Sequence, residues 1–175
     1  MRNARKSASV FTVTALCLVM PACTTSQLVA SLDVIASAAA VAVPALLASG
    51  AVPVDAASKA AILNYLYAVN TAVIQTGTEL NSSDSGPVKA AKITQYFAHT
   101  ALPILPAGTP PAVAQALSLV SAAVDSLLAN LASGAIGSAT SRSLPTRLSA
   151  QEQHILSHAM STAAASLATL ADAKK

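Results

Sequence analysis

Long apolar stretches alternate with short segments rich in helix-breaking residues along this chain. Within the long stretches, apolar residues recur every three or four positions. That period matches one face of an α-helix, and no stretch shows the strict alternation that indicates a β-strand. Five stretches have this helical period, at approximately 28–49, 55–80, 87–102, 110–131 and 149–171. The pattern therefore predicts an all-α fold, a bundle of about five Ala-rich helices.

The first predicted helix, residues 28–49, is apolar around most of its circumference. Its most regular face contains Leu28, Leu32, Ile35, Ala39 and Leu46. Only a narrow seam of Ser26, Asp33 and Ser37 is polar. A helix of this kind lies either at the centre of a bundle or against a membrane. Because Asp33 and Pro44 disfavour membrane insertion, we predict a buried central helix.

The other long helices have more clearly one-sided apolar faces. Apolar residues of the second helix are Ile62, Leu66, Val69, Val73 and Leu80, with Asn70 and Glu79 mostly off that face. Those of the fourth helix are Val113, Leu117, Val120, Val124, Leu127 and Leu131. Those of the last helix are Leu156, Met160, Ala163, Leu167 and Leu170. The alternating steps of four and three in the fourth helix predict tight lengthwise packing against a neighbour.

Capping residues and prolines set the expected boundaries of these helices. Asp55 is a good N-cap for the second helix, and Thr109 is the predicted N-cap of the fourth. Ser149 and Glu152 have the spacing of a capping box at the start of the last helix. Residues 28–133 are thus a four-helix region, 134–148 a Ser/Gly/Pro linker, and 149–175 a C-terminal helix that packs on the bundle.

The N-terminal segment has a different organisation. Arg2, Arg5 and Lys6 make a positively charged start, and an apolar run of about 11 residues follows, from Val10 to Met20. A membrane-spanning helix needs about 20 such residues. The segment therefore has the parts of a cleaved export signal rather than those of a permanent transmembrane anchor.

Met20, Pro21, Ala22 and Cys23 end this signal. The segment resembles the lipobox of bacterial lipoproteins, although Pro21 stands where that pattern usually has Ser, Ala or Thr. The resemblance covers only the N-terminal residues, and it implies that 1–22 is a lipoprotein-type signal peptide. It also implies that Cys23 receives a diacylglycerol and becomes the new N-terminus, so that 23–27 is a lipidated N-terminus.

Lipidation would make the membrane a partner through the N-terminal lipid and would place the protein in the cell envelope. Two or more acyl chains hold a protein stably on a bilayer. The residue after the cysteine is Thr24 rather than Asp. In a Gram-negative host this favours the outer membrane, with the protein facing the periplasm.

Removing the signal changes the charge of the protein. The whole chain has ten Lys and Arg and seven Asp and Glu, a formal net charge of +3. The three basic residues Arg2, Arg5 and Lys6 precede Cys23, so the mature chain has zero net charge. Because no basic patch remains, we expect no nucleic-acid partner. A neutral, charge-poor surface favours association with a protein partner or a second copy.

Candidate chemistry is sparse. His154 and His158 have the i, i+4 spacing of a zinc-ligand pair, but they lie opposite the apolar face of their helix and the only other histidine is His99. We therefore predict a solvated helix face and no metal. Tyr65, Tyr96 and Phe97 are candidates for lining a small apolar pocket, although core packing is the commoner role for such residues.

No catalytic motif, acid/base pair or phosphate-binding glycine loop occurs in the sequence. We therefore expect no cofactor and no enzyme. The sequence favours a lipid-anchored, exported helical protein with a structural or binding role. The alternative is a helical protein that inserts into membrane as a pore or holin-like element, or that carries lipid or another apolar ligand.

Overall fold

The computed structural model describes residues 25–48, 55–107, 109–132 and 147–173. These residues form five α-helices and contain no strand, which confirms the predicted all-α class. The helices are α1 (Thr25–Ala48), α2 (Ala56–Leu80), α3 (Gly86–Phe97), α4 (Pro111–Ala132) and α5 (Ala150–Ala173).

Helix α1 is the central helix of the bundle, since three of the other four helices, α2, α4 and α5, pack against it. Its buried residues are Leu28, Val29, Leu32, Ile35, Ala36, Ala39, Ala42, Val43 and Leu46. This set includes every residue of the face predicted from the sequence. The opposite side of α1 remains exposed, so α1 is buried along one broad face rather than all round.

Two hydrogen-bonded contacts fix the direction of α5 on α1. The Ser26 hydroxyl donates to Glu152 at 2.7 Å. Seven residues further along α1 and six further along α5, Asp33 Oδ1 lies 2.7 Å from His158 Nδ1. Both contacts advance along α1 and α5 in the same sense. The two helices are therefore parallel.

Helix α2 runs antiparallel to α5, because its first residue, Ala56, lies near Ala173 at the end of α5, whereas Gly77 near its own end lies against Met160. A Cβ added at Gly77 would lie 2.7 Å from Met160 Cγ, a distance that real carbon atoms do not tolerate. Glycine in the middle of a helix costs about 1 kcal/mol relative to alanine. Its presence here is explained by the space that Met160 needs.

Helix α3 folds back along α2 after the short turn 81–85 and also touches α4. It ends at Phe97, five residues before the predicted Leu102, so the sequence-based bound was wrong. The backbone N–H and the hydroxyl of Thr100 both donate to the Phe97 carbonyl, at 3.1 and 2.8 Å. Leu102 and Leu105 then pack against the core from an extended connection.

Of the three capping predictions that fall on described residues, two are confirmed and one is wrong. Asp55 accepts the Ser58 N–H at 2.8 Å, and Ser149 and Glu152 form the expected reciprocal box. Thr109, however, donates its hydroxyl to the Pro106 carbonyl rather than capping α4, which begins at Pro111. The predicted linker 134–148 lies mostly outside the described residues.

We expect the effect of Gly77→Ala to depend on the side chain at position 160. In a Met160→Ala background the substitution should stabilise the protein by up to about 1 kcal/mol, because alanine has the higher helix propensity. With Met160 present it should be less favourable by about 1 kcal/mol or more, because the side chain must be displaced. Urea denaturation of the four proteins measures this coupling, and equal effects in both backgrounds would contradict the close contact.

Candidate functional site

The predicted lipidation site, Cys23, lies outside the described residues. In the sequence it stands two positions before Thr25, the first residue of α1. Any group attached to Cys23 is therefore connected to the shared helix of the bundle through a very short segment. The predicted signal peptide, residues 1–22, also lies outside the described residues.

The two histidines of α5 have different environments. His158 is paired with Asp33 of α1, and its side chain is 59% exposed. His154 is exposed as well. Among the described residues no group of three or more His, Cys, Asp or Glu side chains is placed to hold a metal ion. Within the i, i+4 pair, His158 thus contributes a contact between α5 and α1.

The three candidate pocket residues contact different groups. Phe97 is 1% exposed and belongs to the core, and Tyr65 is 4% exposed. The Tyr65 hydroxyl faces Ser121 and Asp125 of α4 without a hydrogen bond of regular geometry, and burial raises the pKa of Tyr65 to about 12. The half-buried Tyr96 instead directs its hydroxyl toward Glu79, at 3.4 Å.

A set of polar side chains that we term the Glu79 cluster joins α2 to α3. It consists of Glu79, Ser82, Asp84, Lys92 and Tyr96. Glu79, only 6% exposed, accepts hydrogen bonds from Ser82 at 3.1 Å and from Lys92 at 3.2 Å. Lys92 also bonds to Asp84, and this contact lowers the pKa of Asp84 and raises that of Lys92.

Lys89 lies next to this cluster and is almost fully buried, at 1% exposure. Its ammonium group donates to the Leu80 carbonyl at 3.0 Å. That carbonyl belongs to the last turn of α2, where the helix leaves carbonyls without internal partners and where a positive charge is favourable. Lys89 of α3 therefore caps the C-terminal end of α2.

The burial of Glu79 and Asn70 contradicts their predicted position off the apolar face of α2. Asn70 donates to the Leu66 carbonyl at 2.8 Å, whereas its Oδ1 atom has no partner in the described structure. The Thr76 hydroxyl is buried without a partner as well. Buried polar atoms of this kind reduce stability unless water reaches them.

A shallow groove of about 320 Å³ lies where the start of α2 meets the end of α5. Its lining residues are Ala56, Lys59, Ala60, Leu63, Asn64 and Ala173. None of the aromatic candidates lines it. Three of these six residues are alanines, and Lys59 is the charged one among the described residues that line the groove.

Two described helices are long and apolar enough to cross a membrane: Thr25–Ala48 and residues 111–131. Both also supply buried core residues to the bundle. By length and composition, each of these helices fits a membrane span as well as a core helix of the bundle.

No protein-family model, curated protein or solved structure matches this chain.

We expect Glu79→Gln to lower the free energy of unfolding by about 1–3 kcal/mol. The substitution removes a buried negative charge that accepts from Lys92, and bonds to charged groups contribute more than neutral ones. Gln115→Glu, the reverse exchange at an exposed position of α4, is the matched control and should change stability by less than about 0.5 kcal/mol. Urea denaturation measures both, and equal losses would remove any special role for the cluster.

Glu152 gives a separate pH-dependent prediction. The Ser149 N–H, and then the hydroxyls of Ser26 and Ser149, lower the pKa of Glu152 from its ordinary 4.5. This stabilisation is complete above pH 4.5 and is lost as pH falls through the lowered folded-state pKa. Gln can still accept the Ser149 N–H at this position, so Glu152→Gln removes mainly the charge and should destabilise the protein at pH 7 by about 0.3–1 kcal/mol.

The difference in stability between wild type and Glu152→Gln should shrink as the pH is lowered to about 3. Thermal unfolding at several pH values measures it. A difference that stays constant with pH would show that the carboxylate charge does not contribute.

Proposed function

We propose that this protein is exported and lipid-anchored through Cys23, and that it acts by binding or as a structural element of the cell envelope rather than by catalysis. In a Gram-negative host the proposed location is the outer membrane, facing the periplasm. The bilayer is its first partner, through the N-terminal lipid. The observation that carries the proposal is the order of residues before α1: a basic start, an apolar run, and then the residues Met20 to Cys23, which resemble a lipobox.

The position of α1 supports this arrangement physically. Thr25 begins the helix against which α2, α4 and α5 pack. A lipid two residues earlier would tether the bundle through its central element, with a segment at most about 7 Å long between them. The bundle would then stay close to the membrane surface and could reorient only to a limited extent.

The roles of the polar side chains support binding or structure over catalysis. Asp33 and His158 join α1 to α5, Glu152 caps α5, and Glu79 joins α2 to α3. Each of these groups is engaged in a contact between helices or at a helix end. The same set would be the natural source of acid/base groups in an enzyme.

Membrane insertion or apolar-ligand binding is the alternative proposal. The length and apolar character of α1 and α4 favour it. Insertion of α1 would, however, require its packed face to leave α2, α4 and α5. Carriage of an apolar ligand would require space between helices that Phe97 and Tyr65 now fill.

We expect cells that produce the protein to label it with a palmitate analogue, and Cys23→Ala to abolish that label. The matched control is Cys17→Ala, which removes the only other thiol from within the signal and should leave the label intact. Gel fluorescence of the immunopurified protein measures both. Equal labelling of wild type and Cys23→Ala would refute lipidation at this residue.

A further inference from the structure

Helix α3 is the least attached of the five described helices. Within the described part of the chain it packs on α2 and α4 and makes no close approach to α1 or α5. Its buried residues are Gly86, Lys89, Ile93 and Phe97. Only the last two are large apolar side chains, whereas α1 buries nine residues against three helices. Regions with few buried apolar contacts are those that open locally while the rest of a protein stays folded.

Polar contacts to the end of α2 supply much of the remaining attachment of α3. Lys89 donates to the Leu80 carbonyl at 3.0 Å. Lys92 donates to Glu79 at 3.2 Å, and the Tyr96 hydroxyl lies 3.4 Å from the same carboxylate. The three α3 residues follow one another at steps of three and four, so they share one side of the helix. Because the Lys92 side chain is 43% exposed, water and dissolved ions compete for its contact with Glu79.

Irregular segments border α3 on both sides, since the turn 81–85 precedes it and an extended connection follows Thr100. Helix α3 has 12 residues, and an isolated helix of that length is marginally stable in water. If α3 leaves α2, we therefore expect it to unfold rather than to move as a rigid rod. The other four helices need not separate, because α1 contacts α2, α4 and α5 without α3.

We propose that α3 opens as a cooperative unit while α1, α2, α4 and α5 stay packed, and that the contacts of Lys89, Lys92 and Tyr96 hold it closed. In the open state Ile93 and Phe97 leave the core. The apolar surface that these two side chains cover on the bundle then becomes accessible to solvent or to a partner. This conformational change does not depend on the lipid anchor.

Hydrogen exchange of the full chain tests the opening, under conditions in which helices reclose faster than their amides exchange. Mass spectrometry of fragments measures the rate for each helix. Amides of α3 should exchange at least about tenfold faster than the slowest amides of α1. Equal protection of α3 and α1 would overturn the proposal, because both helices would then open only when the whole chain unfolds.

Ile35→Val in α1 and Ile93→Val in α3 are matched variants, because both isoleucines are 0% exposed. Each should raise exchange rates about two- to tenfold wherever exchange requires its contact to break. Ile93→Val should accelerate both α3 and α1, because the contact of residue 93 is lost in the open state and in the unfolded state. Ile35→Val should accelerate α1 and leave α3 unchanged. Equal acceleration of α3 and α1 by Ile35→Val would overturn the proposal.

Lys92→Met tests whether the polar contacts hold α3 closed. The variant should raise exchange in α3 by about threefold or more, because it removes a donor to a nearly buried carboxylate. Lys59→Met, at another partly exposed lysine near the start of α2, is the matched control and should change exchange in α3 by less than about twofold. Equal effects of the two variants would overturn the role assigned to Lys92.

Discussion

The burial of one face of α1 is the constraint on which the rest of the bundle depends. Three helices pack on that face, and most of its side chains are Ala, Val or Leu. Its alanines bury little apolar area each and stabilise the bundle through close contact between helix backbones. The large buried side chains of this face are Leu28, Leu32, Ile35 and Leu46. The close approach of α2 to α5 at Gly77 and Met160 shows that tight packing also occurs away from α1.

Polar groups then fix the direction of the helices, which dispersion contacts alone do not specify. The pairs between α1 and α5 select the parallel arrangement, because sliding or reversing α5 would separate both of them at once. The Glu79 cluster and Lys89 do the same for the turn between α2 and α3. Few charges are present in the chain, and most of those described serve the geometry of the bundle.

The proposed biology depends on the position of α1. The inner face of α1 is buried in the core, whereas its opposite face is exposed. A tether on Cys23 would hold the bundle near a bilayer through this helix.

The sequence by itself determined the helical class and the buried faces. Apolar spacing identified the core residues of α1, α2 and α4, because the helical period alone decides which residues share a side. Local capping chemistry likewise gave the starts of α2 and α5. These features depend on residues within about one turn of each other.

Only the tertiary structure decided the polar contacts and some of the boundaries. Glu79 and Lys89 are buried because α3 folds onto the end of α2, and Asp33 meets His158 across 125 positions of sequence. Thr100 ends α3 early, and Thr109 bonds to Pro106 instead of capping α4. The pattern along one helix shows which side of that helix is apolar. It does not show which neighbouring helix will bury a polar residue at the edge of the apolar side.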